Sequence, residues 1–146
     1  MELKHPAQLL FSEKHPLTAI LNMVFEGSEA RTLTVSLEAP ETFADVNGEM
    51  LHTGFSTLIL DTIMGACAIG ELEKLMPIAT VKLNCNHLGR ARVGEALTCM
   101  AIYDGEENGL AYVSGRIVGG PEQRLIAKAV GTFMLGTAAK PLTVKS

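Results

Sequence analysis

An aspartate in the middle of an apolar run has the chemistry that most needs explaining in this sequence. Asp61 stands within residues 54–69, the most apolar stretch of the chain. An ionised carboxylate buried without a partner is very costly, so Asp61 must be paired, neutralised or set at a cavity. Two readings stay open. In one, Asp61 caps a loop or pairs with a lysine or arginine on a neighbouring strand. In the other, it is a general base or nucleophile in a mostly apolar pocket. His52, Thr53 and Gly54 stand where the same run begins. If the run is a helix, its first backbone N–H groups point outward and its dipole favours negative charge, so this end can hold an oxyanion. Thr53 equally suits an N-cap, and His52 an ordinary loop histidine. Asp61 follows Thr53 by eight residues, which is about 12 Å along a helix axis. One reacting carbonyl cannot lie about 3 Å from both. If both act on it, they come from different subunits, and the site is shared across a dimer interface.

The elements that must position these groups are readable from periodicity. Residues 53–74 carry Phe55, Leu58, Ile59, Leu60, Ile63, Met64, Ile69 and Leu72 nearly all round a helical wheel, and such a helix sits inside a protein. Before it, 6–14 reads as a short helix, 17–25 as a strand and 27–29 as a turn. Residues 32–38 alternate as a half-buried strand, and 39–52 form a loop broken by Pro40, Asp45, Asn47 and Gly48. After the helix come strands at 78–87, 95–103, 110–118 and 124–135. Turns are expected at 92–94, at 104–106 through 108–109, and at 119–121, and a tail from about 138. Short connections imply antiparallel hairpins. The expected fold is α+β: a curved antiparallel sheet wrapped around one long central helix. A partner copy would complete the helix's cover and pair an edge strand.

The chain has 146 residues, the size of one domain, with a core over about 17–136. It is 47% hydrophobic and 19% charged, which excludes the disordered class. Its net charge of −4 gives no global basic field, so neither nucleic acid nor an anionic membrane is an expected partner. The apolar run is short of a bilayer span and is interrupted by Asp61. The N-terminus lacks the basic and apolar regions of a secretory signal. Three cysteines, Cys67, Cys85 and Cys99, without a CxxC pair argue against a disulfide framework and for a reducing, cytoplasmic setting. His5, His15, His52 and His87 show no metal-ligand spacing, so no metal site is expected. Cys85 and His87 share a strand face, more simply as packing than as a nucleophile pair. Residues 54–58 do not form a GxSxG elbow. Gly119-Gly120 is a hairpin turn, not a phosphate loop.

His52-Thr53-Gly54, followed by Leu58-Ile59-Leu60-Asp61-Thr62, resembles the signature HGG-x(6)-D of the hot-dog-fold acyl-CoA thioesterases, and among them the phenylacetate-degradation (PaaI-like) branch. The resemblance continues through 80–84, 89–94 and 131–134, covering about residues 43–136. It implies a hot-dog fold, a homodimer that often pairs into a tetramer, and hydrolysis of an acyl-CoA thioester to acid and free CoA. It implies no metal or redox cofactor, coenzyme A entering as part of the substrate. By the same resemblance Asp61 is base or nucleophile, the Thr53 N–H polarises the carbonyl, and Thr80 helps hold the water. The assisting asparagine of the family stands six residues before the histidine. That position is Val46, so Asn47 fits after a shift of one residue. Thr53 stands where the family has glycine, keeping the N–H but adding bulk. Gly89-Arg90 stands where the family commonly has Arg-Pro. Arg90 and Arg92 are either partners for the CoA phosphates or solvated loop charges. Gly54 is the remaining substrate-side residue. The rival function is a non-catalytic acyl-CoA-binding or sensing hot-dog protein, weakened for hydrolysis by Thr53.

Overall fold

The computed structural model describes residues 16–137. The helix expected at 6–14 and the tail expected from about 138 lie outside them. The strand expected at 17–25 is instead two elements, helix α1 (Pro16–Leu21) and strand β1 (Val24–Glu29). The cause is local. Asn22 adopts a left-handed φ of 48°, and the Met23 N–H donates back to the Thr18 carbonyl. That closure ends a helix when Asn or Gly takes this conformation. The turn expected at 27–29 lies inside β1, where a register shift between Phe25 and Gly27 marks a bulge. The chain reverses at Ala30 and Arg31, with φ of 47° and 65°. Positive φ at two residues bearing a Cβ is strained. Arg31 is held there by its guanidinium, 4.8 Å from the centre of the Tyr103 ring, and by its carbonyl, which accepts the Tyr103 N–H.

Strand β2 (Thr32–Glu38) follows as the alternation predicts, with Leu33, Val35 and Leu37 buried. A 3-10 turn (Glu41–Phe43) interrupts the loop before the long helix α2 (Gly54–Gly70). This helix ends four residues before the expected Lys74: the Glu71 and Leu72 N–H groups close tighter turns onto Ala68 and Ile69. Strands β3 (Ile78–His87), β4 (Ala96–Glu107), β5 (Leu110–Gly119) and β6 (Arg124–Leu135) complete the chain. Residues 104–106, expected as turn, belong to β4, where a bulge lies between Tyr103 and Gly105. The reversal is the two-residue turn Asn108-Gly109, both at positive φ, a pairing that suits a tight hairpin.

All pairs are antiparallel, and the six-stranded sheet runs β1-β2-β4-β5-β6-β3. Strand β3 therefore makes no hairpin with β4, against expectation. It pairs with β6 at the far edge, and residues 88–95 are a crossover rather than a tight turn. On the way, the Leu88 and Gly89 N–H groups bond the Ile126 carbonyl, and the Val93 N–H bonds the Glu49 carbonyl. The crossover thus ties the sheet's end to the loop before α2.

The concave face of the sheet holds α2. Phe55, Ile59, Leu60, Ile63, Met64 and Cys67 are buried against Val35, Leu97, Cys99, Val113, Ile117 and Phe133. Small residues let the backbones approach. A Cβ at Gly115 would come within 2.9 Å of Met64 Sδ and 3.1 Å of Leu60 Cδ2, and one at Gly131 within 2.8 Å of Met64 Cε. Gly115→Val should accordingly lower stability by about 1–3 kcal/mol through overpacking; a denaturation midpoint equal to that of the parent would contradict this packing. The helix is not covered all round. Leu58, Asp61, Thr62, Gly65 and Ile69 form a half-exposed stripe at helical spacing. No helix among the described residues is long and apolar enough to cross a membrane.

Candidate active site

The start of α2 supplies one free donor. Thr53 sits at the N-cap with helical φ and ψ of −59° and −30°, and its side chain makes no capping bond. The cap is His52 instead: its Nδ1 accepts the Gly54 N–H at 3.0 Å, which leaves Nε2 to carry the ring proton. A Cβ on residue 54 would stand 3.0 Å from that Nδ1, so glycine is what lets the imidazole fold back. The Phe55 N–H goes to the His52 carbonyl and the Ser56 N–H to the Thr53 carbonyl. Among the described residues the Thr53 N–H has no partner. Of the N–H groups at this helix end the Thr53 N–H is thus the one left available to a ligand, and the Gly54 N–H, expected on the substrate side, is engaged by His52.

Two turns further along, Asp61 lies on the half-exposed stripe. Its partner is neutral: Thr80 Oγ1 donates to Asp61 Oδ1 at 2.8 Å. Among the described residues no lysine or arginine pairs with it. The cation-paired reading of Asp61 thus gives way to a carboxylate held by one hydroxyl at the edge of the core. Strand β3 delivers that hydroxyl through a bulge. The register shifts between Thr80 and Lys82, so Ile78 and Thr80 share the inner face with Leu83 and Cys85, although the numbering changes from even to odd. The helix from 54 to 70 is continuous, so Thr53 and Asp61 keep their separation of about 12 Å along the axis. The single chain does not bring them onto one reacting atom.

The other expected site residues lie on the loops beside the helix start. Asn47 is exposed on a turn in which its N–H donates to Asp45 Oδ1 at 3.1 Å, and its side chain is directed by no hydrogen bond among the described residues. Arg92 is exposed on the crossover, lining an open cleft of about 450 Å³ with Gly48, Glu49, Met50 and Val93. Arg90 is a paired charge, its side chain 38% exposed. Its Nη2 meets Asp45 Oδ2 at 2.8 Å and its Nε donates to the Leu51 carbonyl at 3.0 Å. The Arg90 guanidinium holds the Asp45 carboxyl below the usual carboxylate range. Asp45 was legible in sequence only as a loop breaker. The buried thiols of Cys67 and Cys99 are pushed up to about 12 by desolvation, so neither is a thiolate at neutral pH.

A sheet of this strand order wrapped around a single long helix, with a carboxylate at the sheet's edge and a backbone donor at the helix start, defines a hot-dog protein. The thioesterase superfamily model matches residues 48–122, about half of the chain. A candidate esterase of Pseudomonas aeruginosa is 31% identical over 121 residues, covering 82% of this chain and 88% of its own. The chain belongs to the thioesterase superfamily. Among solved structures, the PaaI protein from the phenylacetic acid degradation operon of E. coli superposes with a TM-score of 0.79 at 13% identity, over 90% of this chain and 91% of its own. A hypothetical thioesterase of Streptococcus pneumoniae with coenzyme A superposes at 0.70 and 18% identity, over 81% of this chain and 89% of its own.

Proposed function

We propose that the protein hydrolyses an acyl-CoA thioester to the carboxylic acid and free CoA in a site shared between two subunits. The observation that carries this reading is Asp61, which has a neutral hydroxyl partner and no cation. A carboxylate so placed is free to take a proton from water or to attack a carbonyl. The Thr53 N–H of one subunit polarises the thioester carbonyl and stabilises the oxyanion. Asp61 of the other subunit activates water or attacks directly, and Thr80 orients that water or the carboxylate. When water attacks, Asp61 takes its proton, the tetrahedral intermediate collapses by breaking the C–S bond, and that proton passes to the CoA thiolate. When Asp61 attacks, the same cleavage leaves an acyl–aspartate anhydride, which a water hydrolyses to the acid and free Asp61 while its proton goes to the thiolate. Oxidation states do not change, so the reaction needs no redox cofactor.

The shared site is supported by two unfinished surfaces. Strand β3 is an edge strand whose Val81 is 55% exposed, and the α2 stripe beside it holds Asp61 with Leu58 and Ile69. A second copy across this edge would pair the strand and cover the stripe. Pairing into a tetramer and a cytoplasmic setting belong to the same reading. In this reading Arg92, one of the exposed cations, meets the CoA phosphates, and Asn47 assists from the neighbouring turn.

Release of free thiol from short, long and aromatic acyl-CoAs tests the reading. Turnover on at least one is expected. Tight binding with no turnover across the panel would overturn hydrolysis in favour of an acyl-CoA-binding protein. Thr80→Ala should lower kcat roughly 10- to 100-fold, the loss of a hydrogen bond to a charged group, and Thr80→Ser should restore most of it. Equal rates for the alanine variant and the parent would remove Thr80 from the mechanism.

A further inference from the structure

The Thr53 N–H is aimed by the loop that precedes it, which its own backbone bonds and the crossover hold together, the Leu51 N–H bonding the Ala91 carbonyl at 2.8 Å. Within it the Asp45 N–H bonds the Met50 carbonyl at 2.7 Å, and the Gly48 N–H returns to the Asp45 carbonyl at 2.9 Å. The His52 N–H bonds the Phe43 carbonyl at 2.9 Å. Into this loop reaches one side chain from the crossover, Arg90. It takes the Asp45 carboxylate with Nη2 and the Leu51 carbonyl with Nε. The Leu51 carbonyl and the His52 N–H lie on one peptide plane, and the next plane along the chain carries the Thr53 N–H.

Arg90 is itself anchored. Its carbonyl accepts Arg124 Nη1 and Nη2, each at 3.4 Å. Arg124, at the start of β6, grips both oxygens of Glu95 at 2.6 and 2.8 Å. A line of charge-assisted bonds thus runs from the sheet, through the crossover, to the peptide before the oxyanion donor. Arginine suits this position because its planar fork meets two acceptors at fixed angles, which an ammonium cannot.

We propose that Arg90 is a positioning residue: through Asp45 and the Leu51–His52 peptide it sets the direction of the Thr53 N–H, and it is not a ligand of the CoA phosphates. The proposal rests on the thioesterase reading. Small misplacements at a reacting centre are costly, so a loosened loop lowers kcat on every thioester alike.

The test compares Arg90→Lys and Asp45→Asn with the parent on an acyl-CoA and on the matching acyl-N-acetylcysteamine thioester, which carries no phosphate. Both variants should lose roughly tenfold or more in kcat on both substrates, with KM for the acyl-CoA nearly unchanged. A loss confined to the acyl-CoA and expressed in KM would make Arg90 a phosphate ligand and overturn the proposal. So would an Asp45→Asn variant as active as the parent. Backbone amide resonances supply a readout independent of turnover. In both variants those of His52, Thr53 and Gly54 should shift while those of β1 and β2 stay in place. If the parent hydrolyses neither thioester, the hydrolytic reading fails by itself. Unshifted Thr53 and Gly54 amides would then overturn the positioning role separately.

Discussion

Asp61→Asn should lower turnover by roughly 10²- to 10⁴-fold, the usual contribution of a positioned general base, without unfolding the protein. The substitution is nearly isosteric. The asparagine oxygen can still accept the Thr80 hydroxyl that Asp61 Oδ1 accepts now at 2.8 Å. What is lost is the proton-accepting and nucleophilic capacity of the carboxylate. Because no cation faces Asp61 among the described residues, removing its charge strands no buried partner, and the large penalty of a broken buried ion pair does not arise. The thermal midpoint should therefore remain close to that of the parent while thiol release collapses. Turnover retained within a factor of about two would exclude Asp61 as base or nucleophile. A large fall in thermal midpoint would instead return Asp61 to a structural role. The two measurements together separate chemistry from folding.

How much of this was legible follows the range of each interaction. The helix around Asp61 was legible because eight apolar residues at helical spacing are a local pattern, and β2 because its alternation is local too. The α1 helix was not: Leu17, Ile20 and Leu21 fit a strand as well, and the deciding feature is the left-handed Asn22 with its return bond to Thr18. The place of β3 was illegible for another reason. Short connections favour neighbouring strands, but the crossover at 88–95 is stabilised by bonds to residues 49, 51 and 126, which no local window contains. Family resemblance named Thr80 as the residue that holds the water, but its bond to Asp61 was illegible, since a bulge that changes the parity of β3 leaves no mark in its alternation. Arg90 and Asp45 lie 45 residues apart, and nothing in either segment announces the other. Spacing and resemblance pointed to Asp61, Thr53 and Thr80 as candidates, and neither pointed to the contacts of Arg90 with Asp45 and Leu51.

Thr53→Pro should be the second severe variant, and it carries the shared-site argument. Thr53 has a φ of −59°, within the range that proline imposes, and a proline at a helix start replaces an N–H that the helix does not use. The variant should therefore fold, yet the free donor of the helix end is gone. Losing one oxyanion donor lowers kcat by roughly 10²- to 10³-fold. Thr53→Gly is the control, since it keeps the N–H and removes a side chain that makes no capping bond; its activity should equal or exceed the parent's. If Thr53 and Asp61 serve one thioester from different subunits, two crippled chains repair each other. A mixed dimer of Thr53→Pro and Asp61→Asn holds one site with both lesions and one with neither. With random pairing from equal amounts, about half the dimers are mixed, so about a quarter of the parent's turnover returns. Neither variant alone rises above its own residual rate. Mixed dimers that are present by mass yet as inactive as the pure ones would place both groups in the same chain's site, against the separation of about 12 Å that an unbroken helix imposes.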